Sequence, residues 1–456
     1  MRSGATTSKK LIAVIVLLCA LTLALAYFNK ARCAGSPYYD NGRSIIFDQK
    51  KDSNVCYSDI QFLWLGRDID KHVFPYVDGG INGNGDLVGG SVEYPVLSGA
   101  LMWIGAIGAH TDAQFLFDSA LLLAPFALLT AWMLGRMAGR AALLWAIGSP
   151  LVLYAFHNWE LPVVLTAVAA IYLVTMVQRI PLRTRAIGAA VLLGIGFCLK
   201  LYPGAFVVPL AAFVLTGGIG GRELPSTVKG RYDIRGAIAV AVAAVVTVVA
   251  INVPFAVAGF TGWRASFTFQ QNREADITTN SIWYWGLRPM FGPDPASEAA
   301  FQHAVSIASP VLVLASFALA VWLGWRKFGT TGSYPWVAVS GAMLCGFLLF
   351  HKVHSPQYTL WLVPFLVLLI VSWPAIFGYL LADAAIGIGV FLYFHALSSG
   401  GPADWQENVV QFGVWGRAVL LVFFFFAFLR AGQKSAVKST EPATLPGALV
   451  QSGSTA

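Results

Sequence analysis

Asp59 is the side chain in this sequence best placed for acid–base chemistry. It lies in Cys56-Tyr57-Ser58-Asp59-Ile60-Gln61-Phe62, within a polar stretch from Asn29 to Glu93. The neighbouring Ile60, Phe62, Leu63 and Leu65 predict an amphipathic helix at a membrane interface, with Asp59 at or near its N-terminus. A carboxylate there caps the helix or takes a proton from a hydroxyl, and the two roles do not exclude each other.

A second candidate is His351-Lys352-Val353-His354-Ser355-Pro356-Gln357-Tyr358. Two imidazoles and an ammonium beside a membrane entry are costly unless they meet an anion, which points to a phosphate. Lys200, in Lys200-Leu201-Tyr202-Pro203, either snorkels to the interface or meets the same phosphate as a point charge. In Glu93-Tyr94-Pro95 the proline opens the next helix and the tyrosine suits headgroup level, while Glu93 is free to face a site. His157-Asn158-Trp159-Glu160 joins two apolar runs, and its His and Glu exceed what a turn needs. The segment Gly259 to Ala304 carries Trp263, Gln270, Arg273, Asn280, Trp283, Tyr284 and Trp285. Rings with amides and charges suit a sugar; an interfacial aromatic belt would explain the rings alone. Asp383 lies in an apolar run without an obvious basic neighbour and has no assigned role.

The elements that must hold these residues are membrane helices. The 456 residues are 57% hydrophobic and 11% charged, with a mean hydropathy of +0.68. A soluble domain carries about a quarter charged residues, so the chain reads as an all-α polytopic membrane protein. Its net charge of +8 sits in short clusters between apolar runs, not in an aromatic-studded patch, and that excludes nucleic acid. Twelve runs reach spanning character: Leu11–Phe28, Gln114–Leu134, Ala141–Phe156, Val163–Val177, Ala186–Tyr202, Gly204–Gly218, Gly236–Val257, Val305–Trp325, Trp336–Phe350, Thr359–Trp373, Ala375–Leu397 and Phe412–Leu429. Counting them places every strongly basic connection on one side, with both termini, and the polar segments on the other. Pro95–Gly108 would break this parity if it spanned, and at fourteen residues it reads as an interfacial or re-entrant helix. The first loop, residues 29–113, then faces outward, residues 1–431 form the membrane unit, and 432–456 read as a disordered cytoplasmic tail.

The polar part of the first loop, Asn29 to Glu93, holds nine acidic and seven basic residues, too balanced to act as an electrostatic lure. It contains one DxD triplet, Asp68-Ile69-Asp70, so a divalent cation is not excluded, and no other cofactor is expected. Cys33 and Cys56 share this loop and can pair if it faces an oxidising compartment.

The pieces fall in a familiar order: the early Asp59, Pro75-Tyr76, Tyr94-Pro95, Gly135-Arg136, Lys200-Leu201-Tyr202-Pro203 and Ser355-Pro356-Gln357-Tyr358. This order resembles the GT-C membrane glycosyltransferases, most closely glycosyltransferase family 87, the polyprenyl-phosphate-mannose-dependent alpha-mannosyltransferases of actinobacterial envelopes. The chain departs from that pattern at Tyr94-Pro95-Val96, where the family doubles the proline, and at His157-Asn158, where it commonly has Gly-Gln. The resemblance implies a GT-C-like bundle of about twelve transmembrane helices with interfacial helices in the first loop. It also implies transfer of a sugar, mannose first, from a polyprenyl-phosphate donor to an envelope lipid or glycan at the extracytoplasmic face of the plasma membrane. Asp59 matches the general base. His351, Lys352, His354 and Lys200 are then expected at the donor phosphate, and Glu93, Tyr94, His157, Asn158, Glu160, Arg273, Asn280, Gln357 and Tyr358 about the substrates. The competing class is a flippase or transporter for a polyprenyl-linked or small anionic substrate, which calls for ionisable residues near the bilayer midplane in two related halves.

Overall fold

Inside a bilayer a chain must satisfy its own backbone, so apolar runs of this length close into helices. The computed structural model describes residues 8–228 and 230–434. All twelve apolar runs are helical over at least part of their length. The principal helices are α1 (Lys9–Ala31), α2 (Asp59–Gly66), α3 (Val96–Gly105), α4 (Asp112–Ala138), α5 (Glu160–Met176), α6 (Leu182–Leu199), α7 (Val207–Leu215), α8 (Ile234–Ala258), α9 (Phe260–Asn272), α10 (Pro295–Thr331), α11 (Trp336–Phe350), α12 (Thr359–Leu368), α13 (Trp373–Ser398) and α14 (Asp404–Arg430). Among the described residues, eight helical segments are long and apolar enough to cross a membrane. They are Lys9–Ala31, Asp112–Ala146, Leu182–Leu199, Tyr202–Gly221, Ile234–Ala258, Pro295–Thr331, Trp373–Ser398 and Asp404–Arg430. The protein is thus a multi-pass, all-α membrane protein; among the described residues its one small sheet is the hairpin β1 (Gly80–Ile81) and β2 (Leu87–Val88).

The parity expected from the arginines appears as two opposite ends of the bundle. At the basic end Arg183 pairs with Asp233, Arg185 with Glu223, and Lys327 Nζ donates to the carbonyls of Leu429 and Ala431. Gly432–Lys434 is ordered there: Ile370 N donates to the Gly432 carbonyl at 3.0 Å and Lys434 N to that of Leu368 at 2.7 Å. The rest of the tail lies outside the described residues. At the polar end the first loop, the His157 turn, the Arg273 segment and the His351 segment gather.

Three runs differ from their sequence reading. Ala141–Phe156 is not one helix: Gly139, at φ 59°, ends α4, and Gly148-Ser149-Pro150 interrupts the chain beyond it, leaving short pieces at Leu143–Ala146 and Ser149–Tyr154. The broken segment still climbs between α1 and α4. Trp145 Nε1 meets the Ala127 carbonyl at mid-height, and its last residues bring His157 to Lys30 at the end of α1. Thr359–Trp373 is helical only to Leu368, after which the chain turns to pair Leu369 with Gln433. Finally, α2 does not lie on the surface. Ile60, Leu63 and Trp64 are buried in the main core, Trp64 against Phe115 of α4, and of the helix's apolar side chains Phe62 is the well-exposed one. The ten-residue α3 is short, as its parity requires, and Ser98 Oγ ties it to the Leu199 carbonyl at the top of α6.

Candidate active site

The helix carrying Asp59 is capped by Ser58, whose Oγ accepts from Ile60 N at 3.2 Å and donates to the Phe156 carbonyl at 2.7 Å. The capping role open to Asp59 in sequence therefore belongs to its neighbour. Asp59 is the first helical residue, its backbone N–H bonded to the His157 carbonyl at 2.8 Å and its half-buried carboxylate turned to other partners. Tyr57 donates to Oδ1 at 2.9 Å, Asn158 Nδ2 to Oδ2 at 2.7 Å, and the Tyr94 hydroxyl stands 3.5 Å from Oδ2. Asn158 Nδ2 also donates to the Tyr94 oxygen at 2.7 Å. Burial raises the Asp59 carboxyl to about 6; the Tyr57 bond opposes this, Glu93 adds to it, and Lys200 and Asn158 oppose it. A carboxylate with that affinity for protons is matched to general-base work near neutrality.

Beside it lies a cage around Lys200. Its ammonium contacts Glu160 Oε1 at 2.5 Å and sits 4.7 Å from the ring centre of Tyr94, 5.1 Å from Tyr358 and 5.6 Å from Trp361. The other oxygen of Glu160, which is fully buried, accepts from Trp361 Nε1 at 2.6 Å. Burial alone would lower the Lys200 ammonium, but Glu160, with Tyr358 and Asp59, holds it above its usual value. Lys200 is thus a paired cation that frames the site.

The His351 segment comes after α11 and forms the floor. Ser309 Oγ of α10 reaches the Phe350 carbonyl at 2.8 Å. Ser309 is fourteen residues on from Pro295, so α10 extends about 21 Å past this contact at 1.5 Å per residue. The segment's chemistry differs from its sequence reading. Burial pushes the His351 imidazole down to about 4, and it lowers His354 well below the usual range, with Arg417 and His351 adding to the effect. Both rings are neutral at pH 7, so they offer hydrogen bonds and not positive charge. The free charge comes from Lys352, whose Nζ donates to the Gln271 carbonyl at 3.0 Å, and from the half-buried Arg273 near it. His354 N bonds the Thr279 carbonyl at 2.7 Å, which docks this floor onto the Asn280 turn. Asn280 takes the left-handed conformation, φ 53°, that asparagine tolerates.

Other expected residues have partners of their own within the scaffold. Glu93 is held by Arg67 Nε at 2.7 Å, and its carbonyl accepts from Gln270 at 2.6 Å, linking the first loop to α9. Trp283 Nε1 donates to the Phe350 carbonyl at 2.8 Å and Trp263 Nε1 to Asn252, so these rings pack the scaffold and do not form an open belt. His157 lies under Tyr57, ring centres 5.5 Å apart, and burial, then Lys30 and Lys200, keeps it neutral. Cys33 and Cys56 are disulfide-bonded, joining the end of α1 to the segment carrying Asp59.

Asp383 does have a basic partner. Arg417 of α14 places Nη1 3.6 Å from its Oδ1, which also accepts from Thr359 at 2.5 Å, and both charges are fully buried. Arg417 Nη2 then reaches the carbonyls of His354 at 3.3 Å and Asn280 at 3.5 Å, bracing the two floor segments together. The sequence carried a signal for this pair. Asp383 lies 398 − 383 = 15 residues before the end of α13 and Arg417 lies 417 − 404 = 13 after the start of α14, so consecutive antiparallel helices place them at one depth.

Fold and site together define a multi-pass helical membrane protein with one polar end that holds the hydrogen-bonded carboxylate of Asp59. The chain matches no family model and no curated protein sequence.

Proposed function

We propose that the protein is a membrane glycosyltransferase that moves a sugar, mannose first among candidates, from a polyprenyl-phosphate donor to an envelope lipid or glycan. In this reading the bundle is GT-C-like with about twelve transmembrane helices. The polar end faces outward from the plasma membrane and both termini lie in the cytoplasm. One observation carries the reading: Asp59, raised to about 6 and gripped by Tyr57 and Asn158, shares its end of the bundle with the cationic floor of Lys352 and Arg273. A base and cations at one end of the bundle suit a reaction in which a hydroxyl loses a proton while a phosphate leaves with negative charge.

The acceptor hydroxyl gives its proton to Asp59 as its oxygen bonds to the anomeric carbon. The bond from that carbon to the phosphate oxygen breaks, and the phosphate departs with the electron pair. Lys352 and Arg273 stabilise the developing charge, with His351 and His354 as neutral hydrogen-bonding groups. Tyr94, Tyr358 and the paired Lys200–Glu160 shape the space between. The order of short motifs along the chain, from Asp59 to Ser355-Pro356-Gln357-Tyr358, supports the lipid-linked donor.

The test is incubation of purified protein in lipid with a panel of polyprenyl-phosphate sugars and envelope acceptors, with products read by mass spectrometry. A product heavier by one sugar supports the reading. Movement of the lipid-linked sugar across vesicles without any product would replace it with the flippase.

A further inference from the structure

Lys30 lies in the last turn of α1, just past the apolar run Leu11–Phe28. In the structure it is 2% exposed and turned inward. Its Nζ donates to the Tyr57 carbonyl at 2.7 Å and lies 3.4 Å from His157 Nδ1. Tyr57 and Asn158 make the two shortest hydrogen bonds to the Asp59 carboxylate, and His157 is the chain neighbour of Asn158. The two segments are already laid side by side, through Asp59 N to the His157 carbonyl and Ser58 Oγ to the Phe156 carbonyl. Lys30 ties them at the end where both hydrogen bonds to the carboxylate originate.

We propose that Lys30 is a positioning residue for the proton-accepting carboxylate: it fixes Tyr57 and His157 so that the Tyr57 hydroxyl and the Asn158 amide converge on the two oxygens of Asp59. This rests on the reading of Asp59 as the base. Burying a lysine is costly, and a surface flank would not need it. Nor is it needed to hold the segment in place, because the Cys33–Cys56 disulfide joins the same turn of chain to the residue before Tyr57. What the disulfide cannot do is orient the tyrosine and the 156–158 segment against each other.

The groups facing Asp59 come from five elements. They are Tyr57 on its own segment, Glu93 and Tyr94 before α3, His157 and Asn158 before α5, Lys200 after α6, and Lys30, with Arg32 beside it, at the end of α1. Removing Lys30 loosens two hydrogen bonds that favour the ionised carboxylate and also removes a positive neighbour. Both changes act in one direction, toward a carboxyl that holds its proton to higher pH.

The test labels Asp59 with a hydrophobic carbodiimide, which reacts with the protonated carboxyl, in the full-length protein in lipid across pH 5 to 9. Peptide mass spectrometry gives the midpoint without any transfer assay. Lys30→Met is expected to raise the midpoint by about one pH unit, a tenfold change in proton affinity. The acid limb of sugar transfer should move by the same amount. The rise in Lys30→Met combined with Tyr57→Phe should fall short of the sum of the two single rises, because Lys30 acts through Tyr57. Lys30→Gln, which keeps an amide donor for the Tyr57 carbonyl but no charge, serves if the methionine variant does not accumulate, and its midpoint should also rise. A midpoint equal to that of the native protein, or full additivity with Tyr57→Phe, overturns the proposal. An unmoved midpoint with transfer abolished in Asp59→Asn overturns Lys30 alone, whereas transfer retained by Asp59→Asn removes the base and the proposal with it.

Discussion

Lys200 is held against Glu160 beside the candidate site, so a framing role and a phosphate-binding role for this lysine can be separated by mutation. The pair is well shielded: the lysine side chain is 13% exposed and the glutamate 0%, with Nζ to Oε1 at 2.5 Å. Lys200→Met leaves the Glu160 carboxylate buried with only the Trp361 indole as donor. Breaking a buried pair from one side costs about 3–5 kcal/mol. Against a typical total of roughly 5–15 kcal/mol this is severe, and at a few degrees per kcal/mol the Tm should fall by about 5 °C or more. Lys200→Met combined with Glu160→Gln removes both charges, keeps an acceptor for Trp361, and should return the Tm to within about 2 °C of native. Thermal unfolding in detergent, followed by intrinsic fluorescence, measures both. Transfer then distinguishes the roles: activity restored with stability means that Lys200 acts by framing Tyr94 and Tyr358, while stability without activity returns it to the phosphate. A single Lys200→Met variant that melts like the native protein would refute the buried-pair reasoning.

Further outcomes rest on the same geometry. Because the base must be ionised, kcat/KM should fall as pH drops through about 6, and a profile flat from pH 5 to 8 would contradict the assignment. The Asp59 carboxyl is raised from 3.8 to about 6 on folding, so the ionised form costs stability at higher pH, a cost relieved as pH falls through this window. Asp59→Asn should therefore melt no lower than native protein at pH 7.5; a lower Tm would mark the carboxylate as structural. Lys352→Ala should raise the donor KM by about tenfold with a smaller change in kcat, consistent with lost phosphate attraction, and an unchanged KM would remove Lys352 from the donor site. Replacing Cys33 and Cys56 with serine should cost about 3 kcal/mol, as expected for closing a loop of this length, read as a lower Tm. Non-reducing peptide mapping should recover the linked pair.

Much of the scaffold was legible because membrane insertion writes it plainly. Apolar length marks the helices, and the arginine clusters at residues 136–140, 179–185 and 222–235 fix which connections share a side. The place of Asp59 at the start of a short helix in the first loop was legible too, from the apolar Ile60, Leu63 and Leu65 that follow it. Its partners were not. Asn158 meets Asp59 because the broken segment after α4 climbs back beside α1, and the break depends on Gly139 and on Gly148-Ser149-Pro150, which hydropathy averages away. Burial also misled the charge count: His351 and His354 look cationic in sequence and are neutral in a closed site. Arg417 escapes notice because a single arginine in an apolar run reads as a tolerated defect. Its match in depth to Asp383 shows only when the two helices are laid antiparallel.

The most direct test of the central claim is sugar transfer from radiolabelled polyprenyl-phosphate sugars to membrane lipid or glycan acceptors. Purified native protein and its Asp59→Asn form, both shown to be folded, are assayed side by side. Labelled product from the native form and none from Asp59→Asn is the expected result, and the donor that reacts identifies the sugar. Equal product from both forms would contradict the assignment of Asp59 as base. No product from either, with intact donors, would contradict the transferase reading for every sugar supplied.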